Sequence, residues 1–383
     1  LTPPRDEQDN PLVMPHARLH ARSRAGSLAA AIAVSVGLVA STRAQTPAAP
    51  PNLGLTAVKG IKVGHFTRSE RPTGCTVILP PPDTIASVDV RGSAPATRET
   101  DLLNPVNNVQ VVHAVVLSGG SAFGLDSATG VMRFLEEQGI GYEARGVKIP
   151  IVPGASLIDL AFGGNPKIRP DADCGYKAAA AATDAPVAEG NVGAGAGATV
   201  GKLGGLEGAM KAGIGTSAIT LPNGLIVSAI AAVNAAGDII DPATGQVIAG
   251  MRTAGGKALA DARKHLRTGS WGQPPRAGEN TTLGVIATNA KLTKVEAQKV
   301  AQMAHDGYAR AISPVHTPGD GDTIFALATG SLDLDVNVGI IGALAADAMA
   351  EAIVRGATQA TALGGLPAAR DLGTLPGSPR PRP

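Results

Sequence analysis

The chain has 383 residues, 44% of them hydrophobic and 17% charged, which supplies apolar surface for one or two sizeable cores and excludes disorder over most of the length. Glycine is frequent at 49 residues while aromatics make up only 2%, so the core is built mainly from Ala, Val, Leu and Ile in layers that approach closely. The formal charge of +2 lies at the beginning: residues 1–44 carry five arginines against three acids, leaving 28 basic and 28 acidic residues in the rest, a neutral body without the concentrated Lys and Arg of a nucleic-acid binder.

In chain order, Met14 is followed by a basic stretch (His16, Arg18, His20, Arg22, Arg24), a mostly apolar run over 26–40, and Thr42-Arg43-Ala44 before Gln45. That order predicts a secretory signal with a small-x-small cleavage site, a mature chain starting at Gln45 and a periplasmic or secreted product. The run is shorter than the roughly 20 residues a spanning helix needs, which weighs against a membrane anchor. Residues 1–44 are read as leader and signal peptide, 45–54 as a Pro/Ala linker, 55–363 as a single domain and 364–383 as a Pro-rich tail, with both ends mobile. Only Cys75 and Cys174 are present. They permit one disulfide, whose formation the sequence leaves open, and provide neither a disulfide framework nor a four-ligand zinc site.

β-branched runs at 75–79, 109–117, 225–233, 283–288 and 323–328 predict strands, and helical patterns cover 127–138, 254–267, 294–311 and 343–357. The mixture points to α/β or α+β architecture with sheets covered by helices.

Several familiar motifs fail on inspection. Gly119-Gly120-Ser121-Ala122-Phe123-Gly124 has its last glycine one residue late for a nucleophile elbow. The stretch from Gly193 to Leu203 is glycine-rich but lacks phosphate-loop spacing, and Leu203 stands where a Ser or Thr would hold magnesium. His65, His113, His265, His305 and His316 are dispersed without metal-ligand spacing.

Glu279-Asn280-Thr281-Thr282-Leu283-Gly284-Val285-Ile286-Ala287-Thr288-Asn289-Ala290 begins as a polar turn and runs into a strand pattern. Asn280-Thr281-Thr282 is also a glycosylation sequon, read as a chance match. The segment resembles the processing site of the N-terminal-nucleophile peptidases that include the L-aminopeptidase/D-amidase (D-Ala-esterase) enzymes, the β-peptidyl aminopeptidases and the nylon-oligomer (6-aminohexanoate-oligomer) hydrolase. The resemblance extends over about 54–330, through Val90-Arg91-Gly92 with Thr97-Arg98-Glu99-Thr100, the stretch from Leu117 to Asp126, the stretch from Gly197 to Lys202, and Gly319-Asp320-Gly321-Asp322.

It implies an αββα four-layer sandwich that cuts itself between Asn280 and Thr281 into α and β subunits. Thr281 then becomes the N-terminal nucleophile, with its own α-amine as base and no metal or organic cofactor. Thr282 is the rival; the family's nucleophile lies seven residues before the pair that is Thr288-Asn289 here, which favours Thr281. By the same resemblance Asn234 donates to the oxyanion, Asp320 and Asp322 orient the nucleophile or a substrate amine, and Lys202 stands near it. Read without the resemblance, Asn234 and Asp320-Gly321-Asp322 are turn residues and Lys202 is a solvated loop lysine. Ser121 and Phe123 either contact substrate or, for Phe123, pack into the core. Ile158 stands where some relatives carry a catalytic-site tyrosine. The implied activity is hydrolysis of small peptide or ω-amino-acid amides by an oligomer of αβ units. The alternatives are acyl transfer of the ornithine-acetyltransferase type and a non-catalytic member that kept the fold.

Overall fold

A computed structural model describes residues 52–269 and 280–377. The expected leader, most of the linker and the last residues of the tail lie outside these residues.

Ten strands carry the architecture: β1 (Lys62–Thr67), β2 (Gly74–Leu79), β3 (Ile85–Val90), β4 (Thr97–Arg98), β5 (Val115–Ser118), β6 (Gly154–Ser156), β7 (Ile214–Thr220), β8 (Ile226–Asn234), β9 (Thr281–Thr288) and β10 (Thr323–Ala328). They form two five-stranded sheets, ordered β1-β2-β5-β6-β4 and β7-β8-β9-β10-β3. In each sheet the third and fourth strands pair in parallel and the other neighbours are antiparallel.

Alternation along the strands sorts the residues into layers. Leu283, Val285 and Ala287 of β9 share a buried cluster with Phe325 and Leu327 of β10 and with Leu117, Ala155 and Ile78 of the first sheet, so this core lies between the sheets. Ile286, one position out of phase, packs instead with the helices α3 (Lys294–Ala311) and α4 (Val338–Thr358). Helices α1 (Ser127–Glu137) and α2 (Ala172–Ala180) cover the other sheet through Val131, Leu135 and Ala178. The result is the expected αββα sandwich.

Local chemistry explains the helix ends. Thr293 Oγ1 accepts the Glu296 N–H at 3.3 Å while Glu296 Oε2 accepts the Thr293 N–H at 2.8 Å, a reciprocal cap that starts α3. Asn337 Oδ1 takes the Gly339 N–H at 2.7 Å, so α4 begins before the expected residue 343. At Gly215 of β7 a side chain would run into the backbone of Ala352 and Gly356, which allows α4 to lie close on the sheet. Cys75 and Cys174 are joined by a disulfide with a Cα–Cα distance of 6.3 Å, tying β2 to α2.

Two expected elements are shorter than their patterns. In 254–267 only Ala262–Leu266 is helical, because Gly256 adopts φ +68° in a turn closed by the Gly256 N–H on Thr253 O, and Asp261 then caps the helix. In 109–117 only Val115–Ser118 is a strand; earlier residues make scattered bonds such as Ala86 N–H to Gln110 O and His113 N–H to Ile151 O. The tail expected to be mobile packs down within its described part, where Leu366, Ala368 and Ala369 are buried and the Lys211 N–H donates to Pro367 O. Among the described residues no helix is long and apolar enough to cross a membrane.

Candidate active site

Thr281 opens β9, the central strand of the second sheet, and is almost fully buried. Strand alternation puts it on the face of Leu283 and Val285, toward the space between the sheets, and puts Thr282 on the opposite face. Thr281 Oγ1 donates to the carbonyl oxygen of Asn280. That carbonyl also receives the Gly321 N–H at 3.3 Å, so the bond preceding the threonine is approached by a hydroxyl and polarised by an amide. A side chain at Gly321 would bring its Cβ to 2.8 Å from Thr281 Oγ1 and 2.8 Å from Ala94 O, so this close approach requires glycine. Asn280 is buried, which agrees with reading its sequon as a chance match. Among the described residues neither its side-chain amide atoms nor Thr282 Oγ1 has a hydrogen-bond partner.

Asn234 ends β8 directly opposite Thr281. Its Oδ1 accepts the Thr199 N–H at 3.0 Å and Lys202 Nζ at 2.9 Å, and Lys202 Nζ also reaches the Asn234 carbonyl at 3.0 Å. Lys202 is therefore held at the site and is not a solvated loop lysine. A left-handed Gly201, φ +76°, turns the chain so that the Lys202 N–H bonds Ala236 O at 2.9 Å. Asn234 Nδ2 spends one hydrogen on Ile158 O at 3.0 Å, which leaves its second hydrogen as the one available for an oxyanion.

Asp320 and Asp322 flank Gly321 and are both buried. Asp322 Oδ1 accepts the Thr282 N–H at 2.7 Å. Asp320 Oδ2 is held by Thr317 through its N–H at 2.8 Å and Oγ1 at 2.6 Å. Burial, and then the negative charge of Asp322, push the Asp320 carboxyl above its ordinary range, against the pull of Thr317 and Lys202.

Ser121 adopts φ +56° and gives its N–H to Leu157 O at 2.9 Å, one residue before the carbonyl that receives Asn234 Nδ2. Phe123 is 56% exposed, with the Arg169 guanidinium 3.6 Å from its ring centroid. Core packing therefore does not explain it.

Sequence reasoning missed the support beneath the site. Arg71 and Asp159, both fully buried, form an ion pair at 2.8 Å. Asp159 Oδ1 also accepts the Gly120 N–H at 3.0 Å, and its Oδ2 accepts from Thr73 Oγ1 at 2.6 Å. Lys211 buries its ammonium among the carbonyls of Gly195, Ala198 and Ala212, and burial pulls its pKa down to about 7. His316 contacts Asp322. The signal for His316 was its position six residues before Asp322, which a search for metal-ligand spacing passes over. Among the described residues no cluster of His, Cys, Asp and Glu could hold a metal ion.

These elements define an N-terminal-nucleophile type of fold, and comparison with known proteins gives it a family. The model of peptidase family S58 matches residues 54–370, and the chain belongs to that family. It is similar to an uncharacterized aminopeptidase of Mycobacterium tuberculosis, 43% identical over 351 residues that cover 83% of this chain and 97% of the relative. It is also similar to the 6-aminohexanoate-oligomer endohydrolase of a Kocuria species, 30% identical over 311 residues covering 78% and 84%. Among solved structures, a Burkholderia β-aminopeptidase superposes with TM-score 0.63 at 21% identity, covering 86% of this chain and 96% of that one. The L-aminopeptidase D-Ala-esterase/amidase of Ochrobactrum anthropi, described as a variant of the Ntn hydrolase fold, also gives 0.63, at 19% identity over 85% and 95%. The protein is an amide-bond hydrolase.

Proposed function

We propose that the chain cuts itself between Asn280 and Thr281 and that the exposed Thr281 then hydrolyses small peptide or ω-amino-acid amides through an acyl-enzyme. The observation that carries this is the Asn280 carbonyl, which receives both the Thr281 hydroxyl and the Gly321 N–H. In the cut, Thr281 Oγ1 bonds to the Asn280 carbonyl carbon and the C–N bond breaks, leaving an ester. Water hydrolyses that ester to an Asn280 carboxylate and a free Thr281 α-amine.

The new amine has a reference pKa near 8, suited to taking the Oγ1 proton at neutral pH. Thr281 Oγ1 then attacks a substrate amide. The Gly321 N–H and the second Nδ2 hydrogen of Asn234 are the donors for the developing oxyanion. Lys202 fixes Asn234, and Asp322, through the Thr282 N–H, and Asp320, held by Thr317, orient the nucleophile. The leaving amine carries off the proton, and water releases the acid.

The substrate class rests on the endohydrolase and aminopeptidase relatives. A periplasmic or secreted location is part of the proposal, supported by the signal-like leader and by the Cys75–Cys174 disulfide, which suits an oxidising compartment. Assay of the purified protein on amino-acid p-nitroanilides and aminohexanoate oligomers tests the activity. Cleaved protein that turns over none of them would leave self-processing standing and remove the amidase claim.

A further inference from the structure

Asp322 is gripped from behind by His316. The backbone N–H of His316 at 3.2 Å and its ring Nδ1 at 2.8 Å both reach Asp322 Oδ2, while Oδ1 accepts the Thr282 N–H. With a carboxylate oxygen as acceptor, the ring carries its proton on Nδ1. His316 holds φ +53°, a left-handed conformation that a residue with a Cβ keeps only where its surroundings over-determine it.

The ring also belongs to a cluster of three aromatic rings, in which His305 and Tyr308 lie 5.2 Å apart. It stacks on Tyr308 with centroids 5.8 Å apart and meets the edge of His305 at 4.8 Å. Tyr308 Oη donates to Thr282 O at 3.1 Å, so the two polar groups of the Thr282 backbone are held by Asp322 and Tyr308, and both of these touch His316. Burial keeps His305 neutral, with its pKa lowered to about 4, and keeps the Tyr308 phenol protonated.

We propose that His316 is a positioning residue for the nucleophile, acting through Asp322 to fix the Thr281–Thr282 backbone. The role rests on the reading of Thr281 as the nucleophile. Nothing else among the described residues uses the polar atoms of the ring, since Nε2 has no hydrogen-bond partner there.

Three full-length variants test it: H316G, which relieves the left-handed strain and removes the ring; H316A; and H316N, whose amide can donate to Asp322 and whose backbone tolerates positive φ. Self-cleavage is followed by gel and mass, steady-state amide turnover by kcat and KM, and folding by thermal melting. H316G and H316A lose about 10- to 100-fold in self-cleavage rate and in kcat with KM little changed, and H316N recovers most of both. A purely structural role would lower melting temperature and leave the kcat of the folded fraction intact. A wild-type chain cut at Asn280-Thr281 together with a folded H316G that cuts and turns over equally fast overturns the role of His316 alone. An uncut, inactive wild-type chain overturns the nucleophile reading as well.

Discussion

Asn234 and Thr281 are register partners, the last residue of one strand against the first residue of its antiparallel neighbour. The pairing brings an amide side chain beside a hydroxyl that are 47 positions apart in sequence, and parallel pairing of Leu283 with Thr323 brings the Asp320–Asp322 loop to the same end of the sheet. The site is thus assembled at a common edge of three strands in which each side chain's face is set by alternation.

Gly321→Ala tests the close approach at the Asn280 carbonyl. Its Cβ would sit 2.8 Å from Thr281 Oγ1, so the loop has to move and the Gly321 N–H leaves the Asn280 carbonyl. Self-cleavage is expected to slow by on the order of 10²-fold, the scale for losing one oxyanion donor, with Asp320 and Asp322 unchanged. A time course of fragment appearance on a denaturing gel reads this directly.

Lys202→Met keeps much of the side-chain stem and removes the ammonium from both oxygens of Asn234. Because Asn234 then keeps only Thr199 and Ile158 to hold its side chain next to Thr281, kcat is expected to fall by on the order of 10- to 100-fold. Far-ultraviolet circular dichroism should stay native. Lys202→Arg is expected to rescue only partly, since a planar fork does not reproduce a point contact on two oxygens.

Arg71→Met leaves the buried Asp159 carboxylate with Thr73 Oγ1 and the Gly120 N–H but without its ion-pair partner. Urea unfolding is expected to show a loss of about 3–5 kcal/mol, the usual consequence of breaking one side of a buried pair. Turnover should fall in the folded fraction too, because Asp159 follows Ile158, whose carbonyl holds Asn234 Nδ2.

Asp238 gives a pH signature. Burial raises its pKa from 3.8 to about 6, against hydrogen bonds from the Ala262 and Met251 N–H groups. A carboxyl with a raised folded pKa is held protonated more tightly by the folded state than by the unfolded one. Its contribution to stability is therefore fully present below about pH 4, is lost as pH rises toward 6, and is constant above that, a change of at most about 3 kcal/mol. Denaturant unfolding across this range should show the slope. Asp238→Asn should remove it while lowering stability overall, because one carbonyl oxygen cannot serve both N–H groups.

Legibility in the sequence followed the range of the interactions. The last strand and the capped helix Lys294–Ala311 match their expected bounds residue for residue, because each is set by its own alternation or by a cap within four residues. The 254–267 pattern fails where two adjacent glycines turn the chain. Thr281, Asn234, Lys202 and the two aspartates could be named in advance because they stand in motifs that resemble a family. Arg71 and Asp159 could not, since they are 88 residues apart and only folding pairs them. His316 was passed over because its contact with Asp322, six residues on, has no metal-ligand spacing to mark it.

The central claim is that Thr281 is the residue freed by self-cleavage. N-terminal sequencing of the smaller fragment of the purified protein tests it most directly, with Thr281→Ala alongside. The account predicts a small fragment that begins at Thr281, and a single uncut, inactive chain for the variant. A fragment that begins at Thr282, or a Thr281→Ala chain that still cuts itself, would contradict it.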